Sequence, residues 1–164
     1  MHSFKEKLLK SDVVLSQLEV PIETVEWTAD YCHKHGVPFI LNPAPAVPLA
    51  KTVWEKCSYI TPNEPEASLL FSKCSYDQLI MTLGPIGAKF KELIIPGYPA
   101  KVVDTTGAGD TFNGALAFSL GAGYAVEQAI GFANAAAAFC VESFGAQSGM
   151  PTFEQVEERM RLNA

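Results

Sequence analysis

Short apolar runs, separated by longer amphipathic stretches, organise this chain. Runs at residues 13–18, 37–41, 58–61 and 78–83 have the length and composition of buried strands, and residues 93–103 predict one or two further extended pieces. Because the runs are nearly continuous rather than alternating, they indicate strands that are covered on both faces.

Helical spacing fills the intervals between these runs. Predicted helices cover residues 21–35, 49–56, 62–71, 109–120, 125–142 and 153–161. Pro21 suits the first turn of its helix, and Gly36 suits the stop. The alternation of strands and helices predicts an α/β fold of three layers, α/β/α, with a mostly parallel sheet, and we expect residues 1–164 to form a single domain.

Polar residues follow the predicted strands at their carboxyl ends. They are Glu19, Asn42, Asn63 with Glu66, Gly84, and the segment 104–110. Parallel sheets bind ligands at the carboxyl ends of their strands, so these residues are expected to converge on one edge.

The sequence DTTGAGDTF, residues 104–112, combines an anion-binding turn with a carboxylate. Gly107 and Gly109 allow a tight turn whose N–H groups, with the positive end of the following helix, favour an anion. No Lys-Ser or Lys-Thr pair follows, and Phe112 replaces the third glycine of a dinucleotide fingerprint. Asp110 is then either a capping residue in the first helical turn or a general base beside a transferring phosphoryl group.

Composition excludes several other classes of function. The 164 residues carry 18 acidic and 12 basic side chains, a net charge of −6, without a basic cluster, which argues against a nucleic-acid surface. The four cysteines, Cys32, Cys57, Cys74 and Cys140, lack metal-site spacing and are expected to be buried, reduced thiols. The charged N-terminus and the absence of a 20-residue apolar stretch predict a cytoplasmic protein without membrane contact.

Several motifs in one order carry a resemblance to a known family. They are QLE at 17–19, LNPAP at 41–45, ITPNE at 60–64, TLG at 82–84, DTTGAGDTFNGA at 104–115 and GAQ at 145–147. The chain is identified as a member of the ribokinase-like sugar kinases, the PfkB carbohydrate kinases. The resemblance implies transfer of the γ-phosphoryl group of ATP to a sugar hydroxyl, with ribose as the first expected sugar.

The resemblance also assigns roles to residues. It implies that Asp110 is the base for the sugar hydroxyl, that the backbone of Gly107, Ala108 and Gly109 forms the anion hole, and that Glu19 lies near the sugar. For the nucleotide it implies Mg²⁺ and phosphate organisation by Asn63 and Glu66, and contacts from Thr82, Leu83, Gly84, Gly87 and Asn134. For a K⁺ ion it implies Asp104 and Thr106 with backbone carbonyls near Cys140, Ser143 and Gly145.

Simpler interpretations of four residues stay open. Glu66 is alternatively a solvent-facing residue of a first helical turn, Asn134 a packed or solvated helix residue, Glu19 a charged strand end and Asp104 a cap for its turn.

Departures from the family pattern leave two functional hypotheses. The N-terminal sugar-binding Asp, Gly-Gly motif and β lid are absent, and Pro85 and Ile86 stand where small and basic residues are usual. Ser148-Gly149 replaces the usual Pro-Ser. The chain is therefore either the C-terminal nucleotide-binding and catalytic part of a sugar kinase, or a catalytically inactive truncated relative that binds only nucleotide or a partner chain. A homodimer is a further candidate assembly.

Overall fold

The structure is a computed structural model that describes residues 2–72 and 76–163. These residues fall into two compact units, one of Met1–Thr82 with Lys89–Glu92 and the other of Leu83–Ala88 with Leu93–Ala164. Each unit is described by itself, and a single domain over residues 1–164 stays a prediction.

The first unit alternates helices and strands. In chain order it contains α1 (His2–Leu9), β1 (Val14–Ser16), α2 (Ile22–His35), β2 (Phe39–Leu41), α3 (Lys51–Trp54), β3 (Tyr59–Ile60), α4 (Glu64–Phe71) and β4 (Ile80–Thr82). Strands β1, β2 and β3 form a parallel sheet in that order, with Leu15 opposite Ile40 and Leu41 opposite Ile60. Parallel bridges also join Ile60 to Leu79 and Asn63 to Thr82.

Burial explains why the first unit folds as its sequence predicts. All three residues of β2, Phe39, Ile40 and Leu41, have no exposed surface, as expected of a central parallel strand. The adjacent helix α2 ends where Gly36 adopts φ 70°, and the Gly36 N–H donates to the carbonyls of Cys32 and His33. Cys32, Cys57 and Cys140 are buried free thiols, and burial raises the pKa of Cys57 to about 12. Cys74 lies outside the described residues.

The second unit is mainly helical. Its elements are β6 (Leu93–Pro96), α5 (Ala108–Gly121), α6 (Val126–Cys140) and α7 (Phe153–Leu162), preceded by the 3₁₀ turn Gly84–Ile86. Strand β5 (Gly87–Phe90) is divided, with Gly87 and Ala88 in this unit and Lys89 and Phe90 in the first. The core of the helical part packs Phe132, Ala135 and Ala136 of α6 against Val156 of α7.

The sequence expectations differ from the structure in three places. Helix α1 was not expected in the charged N-terminus, where Leu8 is nevertheless buried and the Phe4 ring lies 5.9 Å from that of Trp27. Strand β5 has the sequence Gly-Ala-Lys-Phe, which has low strand propensity. Of the extended stretch expected at residues 93–103, only Leu93–Pro96 is a strand.

Candidate functional site

The turn at residues 104–107 ends on a glycine in the left-handed region, and α5 starts directly after it. Gly107 has φ 80° and ψ 1° and is the N-cap of α5. Its carbonyl accepts from the Thr111 N–H at 2.8 Å, and the Ala108 N–H donates to the Thr105 carbonyl at 3.2 Å. Because the first amides of a helix lack acceptors within it and carry its positive end, the turn has the backbone geometry of an anion site.

Asp104, at the start of this turn, accepts three hydrogen bonds. Its Oδ1 accepts from the Thr106 N–H at 2.9 Å and from the Thr106 hydroxyl at 2.7 Å, and its Oδ2 accepts from the Gly145 N–H at 2.9 Å. The backbone and side-chain donors of Thr106, followed by the Gly145 amide, hold the pKa of this carboxyl below its usual value. Asp104 therefore ties its own turn to a loop about forty residues later in the chain.

The segment from Cys140 to Gly149 lies against the turn in the same unit. The Val141 carbonyl accepts from the N–H groups of Val103 and Asp104 at 2.8 and 3.2 Å. Cys140 Sγ lies 3.9 Å from the Thr106 carbonyl. A Cβ on Gly107 would lie 2.9 Å from the Cα of Ala146, so only glycine permits this approach.

The structure thus connects all five residues expected to hold K⁺. Asp104, Thr106, Cys140 and Gly145 are joined through hydrogen bonds, and Ser143 donates its N–H to the Cys140 carbonyl at 3.3 Å. At Gly145 the group that faces Asp104 is the amide rather than the carbonyl. The cation-binding role itself stays a prediction.

Asp110 lies at the third position of α5, and it is exposed. It lines a cavity of about 350 Å³ between α5, α6 and the segment that begins α7. The other lining residues are Thr111, Gly114, Ala115, Phe118, Phe132, Ala136, Met150, Pro151, Thr152, Phe153 and Val156. Asp110 therefore borders a largely apolar cleft within the second unit.

Asn63 and Glu66 form a reciprocal capping box at the start of α4. The Asn63 Oδ1 accepts from the Glu66 N–H, and the Glu66 Oε2 accepts from the Asn63 N–H, both at 2.8 Å. Glu66 therefore lies in the first turn of α4, as the alternative interpretation expects, and its side chain caps that helix. Mg²⁺ organisation by this pair stays a prediction, and within residues 2–72 and 76–163 no group of three or more His, Cys, Asp or Glu side chains is arranged to hold a metal ion.

A hydrogen-bonded chain of polar side chains connects the ends of the three parallel strands. Gln17 Nε2 donates to Asn42 Oδ1 at 3.2 Å, and Asn42 Nδ2 donates to the Thr61 carbonyl at 2.8 Å. Asn42 is buried, whereas Glu19, the expected sugar neighbour, is exposed. The first unit therefore collects polar groups at the carboxyl ends of its strands, as the sequence indicates.

The predicted nucleotide loop begins beside Asn63. The Thr82 N–H donates to the Pro62 carbonyl at 2.9 Å, next to the bridge that pairs Thr82 with Asn63. In the second unit the Leu83 N–H donates to the Gly87 carbonyl at 2.8 Å, which closes a tight loop. Gly84 and Gly87 have φ values of 56° and 115°, so both need glycine.

Asn134 is a packed residue of α6. Its Nδ2 donates to the carbonyls of Ile95 and Pro96, each at 3.0 Å, and the residue is 6% exposed. Both amide hydrogens are therefore used inside the second unit, which leaves its oxygen as the group to offer a nucleotide.

The predicted site residues are divided between the two units. The first contains Asn63, Glu66, Thr82 and Glu19, and the second contains the remaining predicted residues. Sequence reasoning missed Val141, whose carbonyl contacts the turn, and Ala146, which packs on Gly107. The Gly-Ala-Gln motif at 145–147 lies in the segment that contacts the turn. The contacts themselves could not be predicted, because backbone atoms make them and side-chain identity does not reveal them.

The fold and the site define an α/β protein in which a left-handed glycine starts a helix at the candidate site. A model described as pfkB family carbohydrate kinase matches residues 4–153, and the chain belongs to this family. This confirms the resemblance that the sequence motifs carry.

Ribokinases are among the most similar known proteins. The ribokinase of Bacillus subtilis (strain 168) is 48% identical over 165 residues, covering 93% of this chain and 56% of its own length. A ribokinase structure from Thermotoga maritima has a TM-score of 0.82 at 34% identity and covers 96% of this chain and 59% of that one. The structure of Arabidopsis thaliana ribokinase complexed with ribose and ATP has a TM-score of 0.89 at 29% identity, with 98% and 59% covered.

These similarities confirm the predicted ribokinase-like α/β fold class. The chain spans about 56% of the length of the ribokinases of Bacillus subtilis and Lactococcus lactis, two curated relatives that it matches. Within the described part of the chain, no helix is long and apolar enough to cross a bilayer. A cytoplasmic location stays a prediction.

Proposed function

We propose that the chain carries the catalytic and nucleotide-binding part of an ATP-dependent carbohydrate kinase. The observation that carries the proposal is the position of Asp110, three residues beyond the left-handed Gly107 at the N-terminus of α5. A carboxylate beside an anion-binding turn combines a proton acceptor with a cradle for the transferring phosphoryl group. Phosphoryl transfer requires a protein to accept a proton and to neutralise negative charge.

In the proposed reaction Asp110 accepts the proton of the attacking sugar hydroxyl. The amides at Gly107, Ala108 and Gly109, with the helix N-terminus, stabilise the negative charge of the phosphoryl group. The phosphoryl group passes from ATP to the sugar oxygen and ADP leaves. Asp104 and Gly145 keep the turn in shape while the charge moves.

Two ions are proposed to assist, as the resemblance implies. Mg²⁺ prefers oxygen ligands and keeps several of its waters, so Asn63 and Glu66 would organise it through those waters. At Asp104 the lowered pKa keeps the carboxylate anionic, which suits K⁺ together with carbonyls near Cys140, Ser143 and Gly145. Mg²⁺ would neutralise phosphate charge, and K⁺ would stabilise the turn that supplies the anion hole.

Ribose is the proposed sugar, with Glu19 near it. The Bacillus subtilis relative is named ribokinase, and the Arabidopsis thaliana structure is complexed with ribose and ATP. Thr82, Leu83, Gly84, Gly87 and Asn134 are the proposed nucleotide contacts. A homodimer stays a prediction.

A second candidate function is binding of nucleotide without catalysis. In either candidate the loop Gly84–Ile86 contributes little to phosphate binding, because Pro85 offers no N–H and Ile86 offers no charge. The two candidates make different predictions for turnover while sharing the same fold.

A coupled assay with ribose, ATP, Mg²⁺ and K⁺ tests the proposal. We expect Asp110→Asn to lower kcat by about a thousandfold or more while ATP binding, followed by calorimetry, is retained. The absence of turnover by the natural sequence, together with retained ATP binding, would favour the second candidate. Equal turnover by the natural sequence and the variant would refute Asp110 as the base.

A further inference from the structure

The C-terminal helix α7 contacts the two segments that lead into the candidate site. Arg159 Nη2 lies 2.5 Å from Glu142 Oε2, and Nη1 donates to the Pro99 carbonyl at 3.3 Å. The Arg159 guanidinium also lies 5.2 Å from the centroid of the Phe139 ring. One side chain therefore bridges the segment before the glycine turn and Glu142, two residues beyond the end of α6.

This pair differs from ordinary surface ion pairs in its burial. The side chains of Arg159 and Glu142 are 14% and 31% exposed. The neighbouring pair on α7, Arg161 and Glu158, is 77% and 63% exposed with a separation of 3.9 Å. A planar guanidinium can hold two acceptors in fixed directions, which a lysine ammonium cannot do with the same geometry.

Glu142 connects Arg159 to the segment that leads into the glycine turn. Its Oε1 accepts from the Lys101 N–H at 3.1 Å. The Val141 carbonyl then accepts from Val103 and Asp104, and Asp104 accepts from Gly145. The two segments are thus joined continuously from the Arg159 contacts to the carboxylate at the start of the turn.

We infer that Arg159 is a positioning residue for the glycine turn, acting through Glu142. It fixes the register of residues 99–104 against residues 141–145 and thereby the placement of Asp104, Gly107 and the amides that follow. The inference rests on the proposed kinase function for its consequence in catalysis, whereas the effect on the turn is independent of activity.

Hydrogen exchange at individual amides tests the effect on the turn. Arg159→Met keeps the bulk over Phe139 but removes both polar contacts, and Arg159→Lys restores the charge. We expect Arg159→Met to speed exchange of the Thr106 and Gly145 amides by about tenfold, the order expected for loss of a charge-assisted hydrogen bond, with partial rescue in Arg159→Lys.

Two matched controls separate positioning from general stability. Val156→Ala removes a buried side chain of α7 and lowers the melting temperature without touching Glu142. Arg161→Met removes an exposed arginine from the same helix. The inference is overturned if Val156→Ala speeds exchange at the two turn amides as much as Arg159→Met does, or if neither Arg159→Met nor Glu142→Gln speeds it.

Kinase assays on the same variants separate this inference from the proposed function. If the natural sequence turns over ribose, we expect Arg159→Met to lower kcat about tenfold with little change in either KM, because the turn and not the substrate contacts is displaced. Exchange effects without turnover by the natural sequence support the positioning role and refute the catalytic one. Should Arg159→Met fail to fold, Glu142→Gln gives the decisive exchange measurement.

Discussion

Gly107 and Ala146 approach so closely that a Cβ on Gly107 would lie 2.9 Å from both the Cα and the Cβ of Ala146. Gly107 also has φ 80°, a value that residues with a Cβ rarely adopt. Two separate physical reasons therefore require glycine at this position.

Gly107→Ala is expected to lower the free energy of unfolding by about 2–4 kcal/mol, because left-handed strain and overpacking add. Gly123→Ala is the matched control: its φ is 86°, but among the described residues nothing lies within 4 Å of a Cβ there. That variant should lose only about 1 kcal/mol, the strain alone. Urea unfolding measures both, and equal losses would contradict the close contact with Ala146.

Asp104 is expected to make stability depend on pH in acid. Its donors hold the pKa below the value of 3.8, so its contribution is present above about pH 4 and is lost as the pH falls through the lower folded-state pKa. Asp104→Asn should therefore flatten the decline in stability below pH 4, as followed by thermal unfolding.

Asp30 provides a contrast in the same pH range. Its pKa is lowered by an exposed ion pair with Lys56, with the two atoms 2.8 Å apart. High salt should weaken the contribution of Asp30 by screening, while the contribution of Asp104, which depends on neutral donors, should persist. The same salt sensitivity for both residues would contradict this assignment.

Asn134→Ala is expected to lower the free energy of unfolding by about 1–3 kcal/mol, because the Ile95 and Pro96 carbonyls lose their side-chain donor. Asn163→Ala removes an exposed helix-end contact and should cost no more than about 0.5 kcal/mol. Denaturant unfolding and ATP calorimetry should be run together. Weaker ATP binding at unchanged stability would show that Asn134 serves the nucleotide and not the packing.

Glu66→Gln is expected to preserve α4 while weakening binding of Mg²⁺ with ATP. Helix α7 begins with an equivalent capping box, in which Gln155 accepts from the Thr152 N–H at 2.8 Å, so glutamine serves this purpose in this chain. Stability should change by no more than about 0.5 kcal/mol, whereas Glu66→Ala should cost about 1 kcal/mol. Calorimetry should show affinity for MgATP reduced by about tenfold in Glu66→Gln. Unchanged affinity would leave Glu66 with the capping role alone.

Much of the first unit could be predicted from its sequence because parallel strands covered on both faces are continuously apolar. The run at 37–41 contains β2, and Gly36 ends α2 as predicted. Strand β5 was missed because glycine and alanine give a four-residue segment no strand pattern, although Gly87 is required there: its Cβ would lie 2.1 Å from the Ile95 carbonyl.

Those features of the candidate site that depend on side-chain identity could be predicted from the sequence. Those that depend on how the helices and loops pack could not. The sequence left Glu66 either as a residue of a family motif or as a solvent-facing residue of a first helical turn, and the capping box with Asn63 was not predicted although the spacing permits it. The pairing of Glu142 with Arg159 joins residues 17 positions apart, one in the turn after α6 and the other in α7. No local charge pattern predicts such a contact, because it depends on how α6 and α7 pack.

The loop that holds the glycine turn contacts it chiefly through main-chain atoms, namely the Val141 carbonyl and the Gly145 amide. Every residue but proline supplies both of these groups, so most substitutions at 141, 143, 144 and 147 should leave the turn intact. Gly145, with φ 87°, and Gly149, where a Cβ would lie 2.4 Å from the Cys140 carbonyl, are the exceptions. Outside these two glycines, relatives are therefore expected to vary in side chains along this loop while keeping its path.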